Sequence, residues 1–194
     1  MSAYLILGLV LFLGVHSLRI FADGWRSAQV ARMGELPWKG AFALFSALGL
    51  GLIIWGYGMA RADPVVLWLP PAWTRHLAAL LTVPAFILLV AAYLPGSRIK
   101  AKIGHPMVAG VKIWALAHLL ANGNLADVAL FGAFLIWAVA DFVASRRRDR
   151  IAGRSYVAKG WSRDAAVAGV GLLAWALFAM WGHTWLIGVR PFGA

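Results

Sequence analysis

The chain has 194 residues, of which 62% are hydrophobic and 13% charged, with 11 tryptophans and a net charge of +11. This apolar share exceeds that of ordinary soluble domains and indicates an integral membrane protein. The chain has no cysteine, which excludes disulfides, iron–sulfur clusters and thiolate ligands, so a metal or haem would need His, Met, Asp or Glu.

The apolar runs predict six membrane-spanning helices, in chain order residues 3–21, 40–60, 74–94, 107–121, 125–144 and 164–189. Helices of about 20 residues match a hydrocarbon core of about 30 Å, so the fourth span is short. Pro84 predicts a kink in the third span. We therefore expect an all-α membrane bundle that forms a single transmembrane domain over residues 1–194.

The basic residues predict the orientation of the bundle. Fourteen of them lie at the ends of spans one, three and five or in the loops that follow, whereas Arg61, Arg75 and Arg190 lie at the opposite ends of the spans. Basic loops stay in the cytoplasm, so both termini are expected on the non-cytoplasmic side of a bacterial cytoplasmic (inner) membrane. The run "RRRDR" at 146–150 is then a cytoplasmic anchor, and we expect membrane lipid rather than nucleic acid as the partner.

Small residues four positions apart allow helices to approach closely in lipid. Ala47 and Gly51 in span two have this spacing, and so do Ala165 and Gly169 in span six. These pairs predict two close helix contacts.

The five histidines are the candidates for chemistry. His76 and His105 lie near span ends, where an interfacial or helix-capping role is the simplest interpretation. His16 and His118 lie inside spans, and His183 lies in the outer part of span six. Ionisable residues are costly in a membrane, so a histidine there suggests a function.

Helical spacing groups these histidines with neighbours. Trp114, His118 and Asn122 share one face of span four, and Arg19 lies about one turn from His16 on span one. Imidazoles with a nearby guanidinium would suit a haem iron and a haem propionate. The same residues would equally suit a buried His–His or His–Asn hydrogen bond.

Four segments resemble the NnrU family of bacterial membrane proteins, and the likeness covers nearly the whole chain. They are "GVHSLR" at 14–19, "GHPMVAGVKIWALAHLLANGN" at 104–124, "DFVASRRR" at 141–148 and "GHTWLIGVRPFG" at 182–193. The resemblance implies a link to nitrate, nitrite and nitric oxide respiration.

The NnrU family is similar to zeta-carotene isomerase, a membrane enzyme that uses haem b with histidine ligands. That resemblance places the isomerase's histidines on His16 and His118, while Leu18 stands where the isomerase has glycine. It implies a haem-b protein with a redox-sensing or isomerase-like role and, in the isomerase-like case, a hydrophobic small molecule as substrate.

A rival resemblance rests on "IGHPMVAG", which is similar to the Arg-His-Pro-x-Tyr motif of isoprenylcysteine carboxyl methyltransferases. That motif helps to bind S-adenosylmethionine. Here Gly104 and Val108 replace its arginine and tyrosine, so two polar contacts are missing. A third interpretation is a non-catalytic accessory or maturation factor for a nitrogen-oxide reductase.

The leading hypothesis is a haem b whose iron is held by His16 and His118. Trp114 would pack on the macrocycle, Arg19 would meet a propionate, and Asn122 would orient His118. His183 is the reserve ligand because His16 and His118 differ in predicted depth. His105 is assigned to the start of span four, with Pro106 in its first turn.

Overall fold

The computed structural model describes residues 2–192, so the outermost positions of the expected domain and of the last family motif lie outside it. Within this range the chain is helical, with one isolated antiparallel bridge between Val66 and Asn124. The helices are α1 (Ala3–Phe21), α2 (Asp23–Met33), α3 (Glu35–Ala62), α4 (Trp73–Tyr93), α5 (Arg98–Ile103), α6 (Pro106–Ala121), α7 (Leu125–Ile151), α8 (Trp161–Leu177) and α9 (His183–Ile187).

The expectation of an all-helical membrane protein is confirmed. Five stretches are long and apolar enough to cross a bilayer: α1, α3, α4, α7 and the stretch Trp161–Ile187. Large apolar side chains such as Val10, Ile54 and Leu80 are about two-thirds exposed, as expected for surfaces that face lipid. The chain is therefore a multi-pass membrane protein.

The sixth predicted span is α6, which is apolar but has only 16 residues. Its length of about 24 Å falls below the hydrocarbon thickness. The five longer spans do not by themselves confirm a count of six, which stays a prediction.

Two helices were not predicted from the sequence. α2 follows α1 after a break at Ala22 and ends at Met33, and the next residue, Gly34, has a φ of 91° that suits glycine. α5 is a short helix of six residues, and the Ser97 side chain caps its start. Both are polar and carry no apolar run, so hydropathy alone gives no signal for them.

The sequence predicted one regular helix for the last span, but the structure divides it into three parts. α8 ends at Leu177, a π-helical turn covers Phe178–Gly182, and α9 follows. π-Helical turns occur frequently at functional sites, and this one lies directly before His183.

Glycines bring α1 and α3 into backbone contact. A Cβ atom on Gly8 would lie 2.6 Å from the Ile53 nitrogen, and one on Gly49 would lie 2.7 Å from the Phe12 nitrogen. The predicted contact at Gly51 is wrong, because a Cβ there would meet nothing within 4 Å.

The predicted contact at Gly169 on α8 is wrong in the same way, since that position also opens on empty space. The close approach is instead at Gly171, where a Cβ would lie 2.7 Å from the Ile87 Cα of α4. Spacing identified small residues but not the face that each helix turns towards its neighbour.

The remaining helices complete one packed series. α1 lies between α3 and α7, α7 also contacts α6, and α4 lies between α6 and α8. One end, called the basic end below, is made of α2, α5, the last turns of α1 and α7, and residues 152–160. There Arg148 donates to the Arg19 carbonyl at 2.9 Å and the Lys159 nitrogen donates to the Gly96 carbonyl at 2.8 Å.

The opposite end is held by residues 63–72. The Leu67 nitrogen donates to the Gly123 carbonyl at 2.8 Å, and Arg61 donates to the Ile187 carbonyl at 2.6 Å. Of the fourteen basic residues counted in the sequence, twelve lie on elements of the basic end, and Lys39 and Arg163 lie near the adjoining starts of α3 and α8.

Candidate functional site: a cavity at the basic end

A cavity of 740 Å³ opens between α1, α2, α3 and α7 at the basic end, with the start of α6 on one side. Its size lies within the range of small-molecule and cofactor sites. Its apolar and aromatic wall is formed by Val15, Leu18, Val30, Trp38, Phe42, Met107, Val108 and Trp137. Its polar wall includes three predicted site residues, His16, Arg19 and His105.

The His16 ring is fixed by aromatic neighbours. It stacks on Phe12 with ring centroids 4.2 Å apart and meets Phe42 and Trp137 edge-on at 4.9 and 6.0 Å. Its Nδ1 lies 2.7 Å from the Phe12 carbonyl, and a carbonyl can only accept, so Nδ1 carries the proton. In the neutral ring Nε2 then keeps its lone pair, the state that a metal requires.

Arg19 lies at the mouth of the cavity, where its side chain is 54% exposed and its Nε is 3.9 Å from Asp23 Oδ1. Arg26 reaches the same carboxylate at 3.9 Å from α2. Arg148 and Arg154 bring further positive charge to the wall. Arg19 is therefore one of several arginines at this mouth that could pair with a propionate, as the sequence predicted for Arg19 alone.

His105 is confirmed at the start of α6, with Pro106 in the first turn. Its ring does not cap the helix. Its Nε2 lies 2.8 Å from Oδ2 of buried Asp149, which also accepts from the Tyr156 hydroxyl at 3.1 Å. Burial and this hydrogen bond to Asp149 raise the pKa of Tyr156. His105 thus ties α6 to the end of α7 and to residues 152–160.

The glycine before His105 is needed for this contact. Gly104 has a φ of 78°, and a Cβ there would lie 2.8 Å from the Arg146 guanidinium and 3.6 Å from Asp149. An arginine at this position, as in the methyltransferase motif, would be strained and would crowd both groups.

His118 lies outside the cavity wall. Its Nδ1 is 2.8 Å from the Trp114 carbonyl, and its ring packs on Phe131 at 4.6 Å and on Trp114 at 5.2 Å. Trp114 itself fills the space against Phe131 and Phe134 at 5.1 and 5.6 Å. These contacts bury the face that the sequence suggested for a macrocycle.

Asn122 does contact His118, but through the backbone. Its Nδ2 donates to the His118 carbonyl at 2.8 Å, so it caps the last turn of α6 and leaves the ring alone. The i−4 carbonyl of Trp114, rather than Asn122, sets the ring's orientation.

The structure separates His16 from His118. His16 contacts Trp137 and His118 contacts Phe131, and these partners are six positions apart on α7, or about 9 Å along its axis. Two nitrogens on one metal would lie about 4 Å apart, because each bond is about 2 Å. These contacts do not bring the two histidines together, and a shared iron stays a prediction.

His183, the reserve ligand, projects from the start of α9 near the opposite end. Its Nδ1 lies 2.8 Å from the Val189 carbonyl, and its ring meets Phe178 at 5.8 Å. It is not among the residues that line the cavity.

Sequence reasoning missed one side of the cavity. Trp137, Asp141, Ser145 and Arg148 all line it from α7. Their spacings of four, four and three place them on one helical face, so polar residues recurring at this period could have revealed the wall. Arg26 could not have been found, because it depends on the unpredicted helix α2.

The fold and the site together define a helical multi-pass membrane protein with an amphipathic cavity at its basic end. A family model described as "NnrU protein" matches residues 4–191. The chain therefore belongs to the NnrU family, as its motifs suggested. No curated protein and no solved structure matched the chain.

Proposed function

We propose that this NnrU-family protein is a haem-b-binding protein of the bacterial inner membrane and that His16 holds the haem in the cavity at the basic end. The observation that carries the proposal is the state of His16. Its ring lines the cavity while its Nδ1 is occupied by the Phe12 carbonyl, which leaves Nε2 as the nitrogen for a ligand.

The other walls fit the same group. Aromatic and aliphatic side chains would enclose a flat apolar macrocycle, and the basic residues at the mouth would neutralise its two propionates. In this arrangement His16 would be the histidine that holds the iron. Haem would supply a redox-active iron, whose potential depends on its axial ligands and on burial.

The role that follows is redox sensing, or an isomerase-like reaction on a hydrophobic small molecule, in support of nitrogen-oxide respiration. This link rests on family membership and on the resemblance to zeta-carotene isomerase. His118 does not line the cavity, so its part in this role is tested separately below.

The first prediction tests His16. Wild-type protein purified after expression with ample haem should show a Soret band, and His16→Ala should reduce haem occupancy at least about tenfold, since a metal–imidazole bond is lost. His76→Ala, at the opposite end, should keep the wild-type spectrum. A wild type that stays colourless, or a His16→Ala protein with unchanged occupancy, would refute the proposal.

The same experiment includes His118→Ala to separate two binding modes. If His16 is the only ligand, His118→Ala keeps its haem with little spectral change. If both histidines bind, the low-spin spectrum of two imidazoles disappears in each variant.

A second candidate is the accessory role for a nitrogen-oxide reductase. Arg147 and Arg150 are exposed at the end of α7, so the basic end offers charged side chains for docking a partner. Co-purification of a reductase with wild-type protein, lost in Arg147→Gln with Arg150→Gln, would support it. Haem binding and docking are compatible.

A further inference from the structure

The helix α2 joins the ends of two neighbouring spans, and the packing of those spans determines its direction. Three residue pairs meet where α1 and α3 touch: Leu5 with Gly56, Gly8 with Ile53 and Phe12 with Gly49. Each step forward on α1 therefore matches one step back on α3, so Phe21, at the end of α1, is level with Gly40.

This level shows that α2 runs mainly across the bundle. α3 begins at Glu35, about 8 Å beyond the level of Gly40. α2 has 11 residues and is therefore about 16 Å long. A helix of that length that rises by only about 8 Å lies closer to the plane of the membrane than to its normal.

One side of α2 faces the protein. Arg26 and Val30, four positions apart on the helix, both line the cavity. Trp38 of α3 holds the helix in place: its ring centre lies 6.0 Å from the Arg26 guanidinium and 6.0 Å from the Trp25 ring. Within residues 2–192, α2 packs on α1 and α3 and on no other helix. Its outer side is therefore left without a protein partner in that range.

The outer side of α2 and the residues that flank it expose large apolar side chains. Phe21, Trp25, Met33 and Leu36 are 78, 53, 46 and 81% exposed. Several exposed apolar groups close together mark a surface that binds protein or membrane. These side chains are thus expected to have a partner outside the chain.

Helical spacing divides the outer side into two stripes. Trp25, Ala28 and Arg32 are exposed and follow spacings of three and four, so they share one stripe. Ser27 and Ala31 are also exposed and lie about 100° away around the helix. The first stripe is apolar apart from an arginine at its end, whereas the second has only small side chains.

Continuity with the lipid-facing spans identifies the partner of the first stripe. α1 exposes side chains such as Val10 to lipid, and its last residue, Phe21, lies two positions before α2. Tryptophan concentrates at the boundary between acyl chains and headgroups. An arginine there can lay its apolar stem along the acyl chains and place its guanidinium among the lipid phosphates.

We infer that α2 is an interfacial helix that lies on the lipid leaflet at the basic end, with Trp25, Ala28 and Arg32 facing lipid and Ser27 facing water. Its inner side forms the cavity wall at Arg26 and Val30, so this one helix separates the leaflet from the cavity. The inference goes beyond the proposed function and does not depend on which ligand the cavity holds.

The test measures the depth of single spin labels, which the absence of native cysteine makes possible. Ala28→Cys and Ser27→Cys are neighbouring, exposed positions and form a matched pair. In liposomes of phosphatidylcholine and phosphatidylglycerol, the label on Ala28→Cys should be more accessible to oxygen, which concentrates in the bilayer, than to a water-soluble nickel chelate. The label on Ser27→Cys should show the reverse order.

Val30→Cys reports the inner side of α2. Its label should have the broad spectrum of an immobilised side chain, and a mobile label would overturn the assignment of α2 as a cavity wall. Greater chelate than oxygen accessibility on Ala28→Cys would place the stripe in water and overturn the inference. Shielding of that label from both reagents would mean that a second protein surface covers the stripe, which would overturn it too. Haem plays no part in the experiment, so the proposed function is tested separately.

Discussion

Buried carboxylates in this bundle are tolerated because each accepts several hydrogen bonds. Asp127, only 1% exposed, accepts from the Tyr57 hydroxyl at 2.5 Å and from the backbone and side chain of Asn124 at 3.1 and 2.9 Å. Asp149 does the same at the basic end with His105 and Tyr156. Donors of this kind offset the cost of removing a charge from water.

Asp149 is therefore expected to stabilise the basic end of the molecule. Asp149→Ala leaves His105 and Tyr156 without their acceptor and should lower the free energy of unfolding by about 2–3 kcal/mol. Unfolding in detergent, followed by circular dichroism, measures the change.

The control for this prediction is Asp63→Ala, which alters an exposed carboxylate at the opposite end of the bundle. It should change stability by less than about 0.5 kcal/mol. Equal stability of the Asp149→Ala protein and the wild type would show that this contact does not hold residues 152–160 against α6.

The helix pair α1 and α3 depends on small residues for its close approach. Apolar side chains give little net attraction between helices in lipid, so packing and close backbone contact carry the association. Gly8 and Gly49 provide that contact from both sides of the interface. The same pair positions the cavity, since His16 belongs to α1 and Phe42 to α3.

Gly49→Ala should separate the two helices. Its Cβ would lie 2.7 Å from the Phe12 nitrogen, and backbone cannot move aside as a flexible side chain can. We expect a loss of about 1–3 kcal/mol, as for overpacked cores. Steric trapping or chemical unfolding in bicelles measures it.

Gly51→Ala, two positions along the same helix, is the matched control. A Cβ there meets nothing within 4 Å, so alanine should be neutral or stabilise the helix by up to about 1 kcal/mol. Similar effects at both positions would mean that α1 and α3 do not pack as described.

For the whole molecule, hydropathy predicted the helices that face lipid. The first span agrees at both ends with α1, and the third differs from α4 by one residue at each end. α2 and α5 could not be predicted in this way, because polar helices at a membrane surface carry no apolar run. Pairing of α1 with α3 and α7 depends on side-chain shape that spacing alone does not determine.

The candidate site was predicted only in part, because spacing along one helix groups its residues but does not show which helices pack together. His16 and Arg19 share a helix and were grouped correctly, and His105 was correctly assigned to the start of α6. His118 was grouped with them by family resemblance, which matches residues in the sequence but does not give their depth in the membrane. Trp137 and Asp149 belong to the site through the packing of α7 against α1 and α6: spacing along α7 can indicate a polar face, but it does not show which helices that face meets.

The orientation of the molecule in the membrane is the last prediction. The fourteen basic residues lie on or beside the elements of one end of the bundle, and positively charged loops stay in the cytoplasm. The chain has no cysteine, so single substitutions at exposed positions report accessibility cleanly. Ser155→Cys, at the basic end, should be shielded from an impermeant thiol reagent in intact spheroplasts and should react after permeabilisation. Ala72→Cys, at the opposite end, should react in both conditions. The reverse labelling pattern would place the cavity on the outer side of the membrane, where its ligand would have to arrive from outside the cell.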